Sequence, residues 1–124
     1  MSSIAFDTLT DGGAAESVDA SYLVHGMAKA SASYNQTANI VLSTMNVSSI
    51  TDDATGEHTI SFINAFSTAA YTTVAADSNP QAYGGEYFGV AKTVGNMQMK
   101  TAYGAGMAGF DVDDDNTITL GDLA

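Results

Sequence analysis

Apolar residues recur at every second position along much of the chain, in short runs separated by turn-forming residues. This period of two predicts half-buried β-strands. The clearest case is residues 46–66. Val47 and Ile50 lie in a Ser/Thr-rich run, residues 52–56 supply turn chemistry, and Gly56 is free to take positive φ. Alternation then resumes, with Ile60, Phe62 and Phe66 on one face and Thr59 and Ser61 on the other. The pattern predicts a β-hairpin. Residues 97–103 alternate as cleanly, with Met97 and Met99 inward and Gln98 and Lys100 outward.

The rest of the chain reads the same way. Residues 3–9 predict a short strand carrying Ile4 and Phe6, followed by the turn Asp11-Gly12-Gly13. Residues 1–17 therefore read as an N-terminal arm or edge strand, and residues 18–124 as one domain. The alanines of residues 25–33 suit a helix, but Gly26 and the lack of a cap or a long 3.6-residue period favour a strand across 18–34. A turn follows at Asn35-Gln36-Thr37. Residues 39–50 read as one long strand with apolar groups on both faces: Ile40 and Leu42 on one, Val41, Met45 and Val47 on the other. Such a strand lies inside a sandwich or meets another subunit. Further strands are expected at 71–76, 86–94 and 117–120, with a loop at 77–85, a tight turn at Gly95-Asn96 and a flexible link at 104–109. Seven or eight short strands in one unit imply an all-β, single-domain antiparallel β-sandwich or jelly roll with a short N-terminal arm.

Charge narrows the function classes. The chain carries 14 acidic residues against Lys29, Lys92 and Lys100, has no arginine, and has a net charge of −11. A phosphate backbone repels such a surface, so no nucleic-acid partner is expected, and anionic membranes are disfavoured for the same reason. No apolar run reaches the roughly 18 residues of a membrane span, and no secretory leader is visible. The absence of cysteine excludes disulfides and thiolate chemistry. Large apolar side chains are few beside Ala, Ser, Thr and Gly. A lone core would be small, and association would add buried area.

Candidate chemistry is sparse. Asp111, Asp113, Asp115 and Asp122 stand at positions 1, 3, 5 and 12 of a segment with Ile118 at position 8. This is the spacing of an EF-hand calcium loop, in which alternate carboxylates on a curling chain supply oxygen ligands. Asn116 occupies the position where glycine is usual. The alternative is an acidic turn leading into the last strand; on the first reading, Ca²⁺ is the expected cofactor. His25 and His58 lack any ligand spacing and read as strand residues facing solvent or a neighbour. No Gly-x-Ser-x-Gly elbow or dinucleotide fingerprint is present, so no catalytic residue is assigned and no enzyme activity is expected. The loop at 77–85, with Asn79, Gln81 and Tyr83, is the candidate recognition surface.

One stretch carries a family likeness. Asn46-Val47-Ser48-Ser49-Ile50-Thr51-Asp52, then Gly56, Thr59-Ile60-Ser61-Phe62 and Ala65-Phe66, resembles a module of tailed-bacteriophage tail-fibre and related virion proteins, typified by NVSSITDNGTGDYTVNF. Upstream, Tyr22, Val24, Gly26 and Ala28-Lys29-Ala30 resemble its YVVNGSAKAW segment. Downstream, Ala70-Tyr71 resembles its ANY. The likeness covers residues 21–76. Ser31 replaces the family's Trp, and Tyr34-Asn35-Gln36-Thr37 replaces its Asn-Gly-Thr-Gly turn. The resemblance implies a β-rich, non-enzymatic virion component, trimeric, in contact with other tail or capsid proteins. The leading expectation is a surface-exposed tail-fibre-like module for host attachment through a surface receptor. Its rival is a capsid decoration (cement) protein, and the more remote alternative is a calcium-dependent binding module.

Overall fold

The computed structural model describes residues 8–10, 17–19, 26–79, 82–86, 90–104 and 106–124. Among them the chain forms β1 (Thr8–Thr10), β2 (Ser17–Asp19), β3 (Ala28–Asn35), β4 (Ile40–Met45), β5 (Val47–Ala54), β6 (Glu57–Phe62), β7 (Thr72–Asp77), β8 (Ala82–Glu86), β9 (Asn96–Tyr103), β10 (Ala108–Gly109) and β11 (Asp115–Leu120). One sheet has the order β4-β3-β11-β7. The other runs β10-β9-β6-β5, with β8 also paired to β9, and β1 and β2 form a separate two-stranded ribbon. Every pairing is antiparallel. The two large sheets pack as a β-sandwich, as the alternation predicts. The expected strand positions Ile4 and Phe6 lie outside the described residues.

Side-chain size explains how the sheets approach each other. On β3 the inward positions are Ala30, Ala32 and Tyr34, while Ser31 and Ser33 face out. The alanines leave room for Ile60 and Phe62 of β6 and for Met97 and Met99 of β9, all in one core cluster. Burying each of these larger side chains contributes about 1.5–3 kcal/mol. Phe62, Phe66 and Tyr71 close one part of this core by ring contacts, with centroids 4.9 Å apart for Phe62–Phe66 and 4.4 Å for Phe66–Tyr71. The C-terminal segment is pinned beside them, where Phe66 bridges Leu123 and the Ser67 N–H donates to the Asp122 carbonyl.

The predicted hairpin forms as β5–β6, with Ile50 opposite Ile60 and Thr51 opposite Thr59. Its turn is tighter than the 52–56 expected, since Asp52 and Asp53 extend β5 and only Thr55-Gly56 turns. Gly56 takes φ +71°, as its position requires. Both turn residues press against backbone. A Cβ on Gly56 would overlap Thr101 O and Phe110 N, and one on Gly109 would overlap Thr55 O.

The single strand expected over 39–50 is two strands in different sheets. Asn46 breaks it with φ +55°, a left-handed conformation that asparagine tolerates. The amide holds the break: Asn46 Oδ1 accepts from Asn64 N at 2.8 Å, and Asn46 Nδ2 donates to Asn64 O at 3.1 Å. β4 consequently lies at a sheet edge, exposed along its whole length. The expected loop at 77–85 is shorter, because its last residues join β8. The strand expected over 86–94 is not continued by residues 90–94, and residues 87–89 lie outside the described set.

Candidate functional site

Four polar side chains meet inside the sandwich. The alternation that buries Ile60 and Phe62 puts His58 on the same inward face of β6. On β9, Thr101 follows Met97 and Met99 inward, and on β11 Asp115 opens the inward series Asp115, Thr117, Thr119. Gln36 enters from the turn after β3. All four are at most 6% exposed. The Gln36 amide nitrogen lies 3.0 Å from His58 Nδ1, 3.1 Å from Thr101 Oγ1 and 3.4 Å from Asp115 Oδ2. Donation to Nδ1 selects the imidazole tautomer with its proton on Nε2, which faces Asp115 Oδ2 at 3.7 Å. Thr101 Oγ1 donates to the same carboxylate oxygen at 3.3 Å.

Electrostatics follow from burial. Burial pushes the His58 pKa down to about 4, against a smaller upward pull from the Asp53 charge, so the ring is neutral at pH 7. Burial pushes the Asp115 pKa up to about 6, opposed by the Thr101 hydrogen bond and reinforced by Asp77 and Asp114. Asp77 is its direct cross-strand neighbour on β7. Asp115 Oδ1 is buried with no hydrogen-bond partner. A threonine, a histidine and an aspartate thus meet, but all three are closed off from solvent. The arrangement fixes the core and offers no exposed nucleophile.

Gln36 also links this cluster to the surface. Its Oε1 accepts the Val112 N–H at 3.0 Å, and its own backbone N–H donates to Val112 O at 2.9 Å. The loop between β10 and β11 is thereby held against the turn after β3. Asp111 anchors the same loop to the hairpin, its Oδ1 accepting the Gly56 N–H at 2.6 Å. Around these ties lies an open depression of about 690 Å³, lined among others by Thr37, Thr55, Ser78, Asn79, Asp111 and Asp113. Phe110 lines it too and is paired with the ring of Tyr103, centroids 6.1 Å apart. Hydroxyls, an amide, two carboxylates and an aromatic face can together bind an uncharged, hydroxyl-rich or cationic ligand and repel an anionic one.

The structure separates the residues selected for metal binding. Asp111 and Asp113 line the depression, Asp115 turns into the core, and Asp122 lies beyond the far end of β11. A strand of that length holds Asp115 and Asp122 on the order of 20 Å apart, so the four carboxylates do not converge. Among the described residues, no group of three acidic or histidine side chains could hold a metal ion. Of the recognition residues, Asn79 lines the depression, Tyr83 lies on β8 opposite Ala102, and Gln81 is outside the described residues. His25 is outside them as well. His58 is buried, contrary to its reading as a surface or interface residue. Its phase with Ile60 and Phe62 was the available signal. Gln36 carried none, because its partners are 22–79 residues away. No protein-family model matches the chain, and neither a curated protein nor a solved structure does.

Proposed function

We propose that the chain is a non-enzymatic structural module of a bacteriophage particle, tail-fibre-like, that presents its loop end to the host surface. The observation that carries this reading is the convergence of two separately selected segments on one open depression: Asn79 from the loop after β7, and Asp111 and Asp113 from the loop before β11. A rigid sandwich displaying clustered loops is a common binding architecture. The depression is pre-formed, since Gln36 and Asp111 fasten its walls through backbone hydrogen bonds. The resemblance of residues 21–76 to a virion module supplies the setting, and its best-patterned part is the β5–β6 hairpin that forms one wall at Thr55.

Cryo-electron microscopy of purified particles carrying the chain tests the location. Density for the sandwich on a tail fibre is the expected result. Density on the capsid shell replaces this reading with the decoration protein, and absence of the chain from the particle overturns both. Particles carrying Asn79→Ala with Asp113→Ala test the surface. They are expected to assemble normally and adsorb to host cells more weakly, and unchanged adsorption removes the depression from host attachment.

A further inference from the structure

We propose that the buried cluster is a self-modification site, in which the Thr101 hydroxyl attacks the Gln36 side-chain amide and joins β9 to the turn after β3 by an ester bond. The cluster brings together a hydroxyl, a primary amide, a carboxylate and an imidazole, the groups that acyl transfer uses. Gln36 Nε2 lies 3.1 Å from Thr101 Oγ1. The amide carbon is one C–N bond of about 1.3 Å from that nitrogen, hence within about 4.4 Å of the hydroxyl oxygen. The terminal torsion of a glutamine side chain is broad, so a modest turn of the amide brings its carbon over the oxygen. The Gln36 carbonyl oxygen already accepts the Val112 N–H at 3.0 Å, a backbone donor placed where an oxyanion forms.

Each proton has a place to go. Thr101 Oγ1 donates to Asp115 Oδ2 at 3.3 Å, so the carboxylate takes the hydroxyl proton as the C–O bond forms. The same carboxylate oxygen lies 3.4 Å from Gln36 Nε2 and hands the proton to that nitrogen as the C–N bond breaks. His58 Nδ1, 3.0 Å from Nε2, accepts an amide N–H and orients the leaving nitrogen. The products are the ester and ammonia, and the atoms balance with no co-reactant. Asp115 Oδ1 is buried without a partner, and burial raises the acid's pKa to about 6, so the carboxylate is ionised at neutral pH and more basic than an exposed one. Burial of all four side chains keeps water from competing for the amide carbon or cleaving the ester. Thr37, next in the chain to Gln36, lines the open depression and gives ammonia a short way out. The bond spans 65 residues of chain and links the two sheets as a disulfide does, in a chain without cysteine. It is a single turnover within one molecule and does not depend on the proposed place of the chain on a particle.

Intact-mass spectrometry of the full 12.7 kDa chain after prolonged incubation at neutral pH is the test. Wild type is expected to fall below its sequence mass by one ammonia, about 17 Da. Cleavage after the three lysines separates residues 30–92 from residues 101–124. The ester is expected to hold these two peptides together, with fragmentation placing the link between Gln36 and Thr101. Mild alkali is expected to part them and leave the Gln36 side chain as a carboxylate. Thr101→Ser keeps a hydroxyl and is expected to keep the mass loss. Thr101→Val has the same shape without the nucleophile and is expected to stay at its sequence mass with an unchanged circular dichroism spectrum. Asp115→Asn is expected to slow the reaction about a hundredfold or more. A wild type that stays at its sequence mass overturns the proposal, as does one that gains about 1 Da by simple hydrolysis of the amide. So does a link to any other residue, or a mass loss that persists in Thr101→Val.

Discussion

Replacing Asp115 by asparagine isolates one half of a buried pair whose two members oppose each other in pH. Asp115 has its folded pKa raised to about 6 from 3.8, so the folded state holds a proton that the unfolded chain has released. Its contribution is fully present below about pH 4 and is lost as pH rises through 6. His58 has its folded pKa lowered to about 4 from 6.5, so between these values the unfolded chain binds the extra proton. Its contribution is present above about pH 6.5 and is lost as pH falls through 4. Each group changes stability by about 1.4 kcal/mol per pH unit within its window, with opposite sign. Over pH 4–6 the two nearly cancel in the wild type. Asp115→Asn removes the falling limb, so its stability relative to wild type is expected to rise by about 3 kcal/mol from pH 4 to pH 6. His58→Gln removes the rising limb, and its stability relative to wild type is expected to fall by about 3 kcal/mol over pH 4–6.5.

Urea unfolding at half-unit steps from pH 4 to pH 7.5 measures both differences directly. Taking each variant against wild type at the same pH cancels the background of the other surface carboxylates. Asparagine keeps an oxygen for Thr101 and Gln36, so the expected change is a slope and not merely an offset. A pH-independent difference for Asp115→Asn would show that the carboxylate is hydrated in solution, and the argument from burial would fail. A slope of the opposite sign would show that a partner stabilises its charged form.

Three further outcomes follow from the packing. Gly109→Ala and Gly56→Ala both collide with backbone, and Gly56 also has positive φ, so each is expected to cost about 3 kcal/mol or more in thermal or urea unfolding. Gly95→Ala, where an added methyl meets nothing within 4 Å, serves as the neutral control. Gln36→Ala leaves the Val112 N–H and His58 Nδ1 without their partners and is expected to cost about 2–4 kcal/mol. Amide exchange at Val112 is expected to accelerate in the same variant. Phe66→Ala opens a cavity beside Phe62 and Tyr71 and is expected to cost about 3–5 kcal/mol, read by the urea midpoint at unchanged slope.

The sandwich was legible where large apolar residues kept strict alternation. Ile60 and Phe62, and Met97 and Met99, face inward as their phase requires, and they place β6 and β9 next to each other in the core. The pattern misled where small or polar residues took the inward positions. On β11 it is Thr117 and Thr119 that are buried while Ile118 is exposed, so hydropathy alone points the strand the wrong way round. Residues 39–50 misled for a different reason. One asparagine with a left-handed backbone divides an unbroken β-forming run between two sheets, and its clamp to Asn64 comes from 18 residues further on.

The candidate site shows the same division between local and long-range information. Asn79 was selectable from the turn-forming residues around it, whereas Asp111 and Asp113 were selected for a calcium-loop spacing that the structure does not close, and meet Asn79 because loops gather at the ends of a sandwich. Gln36 ties the loop before β11 to a buried, protonatable cluster, because its one amide reaches His58, Thr101 and the Val112 backbone together. That linkage makes the depression sensitive to a core residue: loss of the Gln36 amide removes the acceptor of the Val112 N–H, leaves the backbone bond from Gln36 N–H to Val112 O in place, and leaves Asn79, Asp111 and Asp113 chemically unchanged. A Gln36→Ala variant that unfolds at lower urea yet retains wild-type exchange at Val112 would separate these two roles and assign the rigidity of the loop to Asp111 instead.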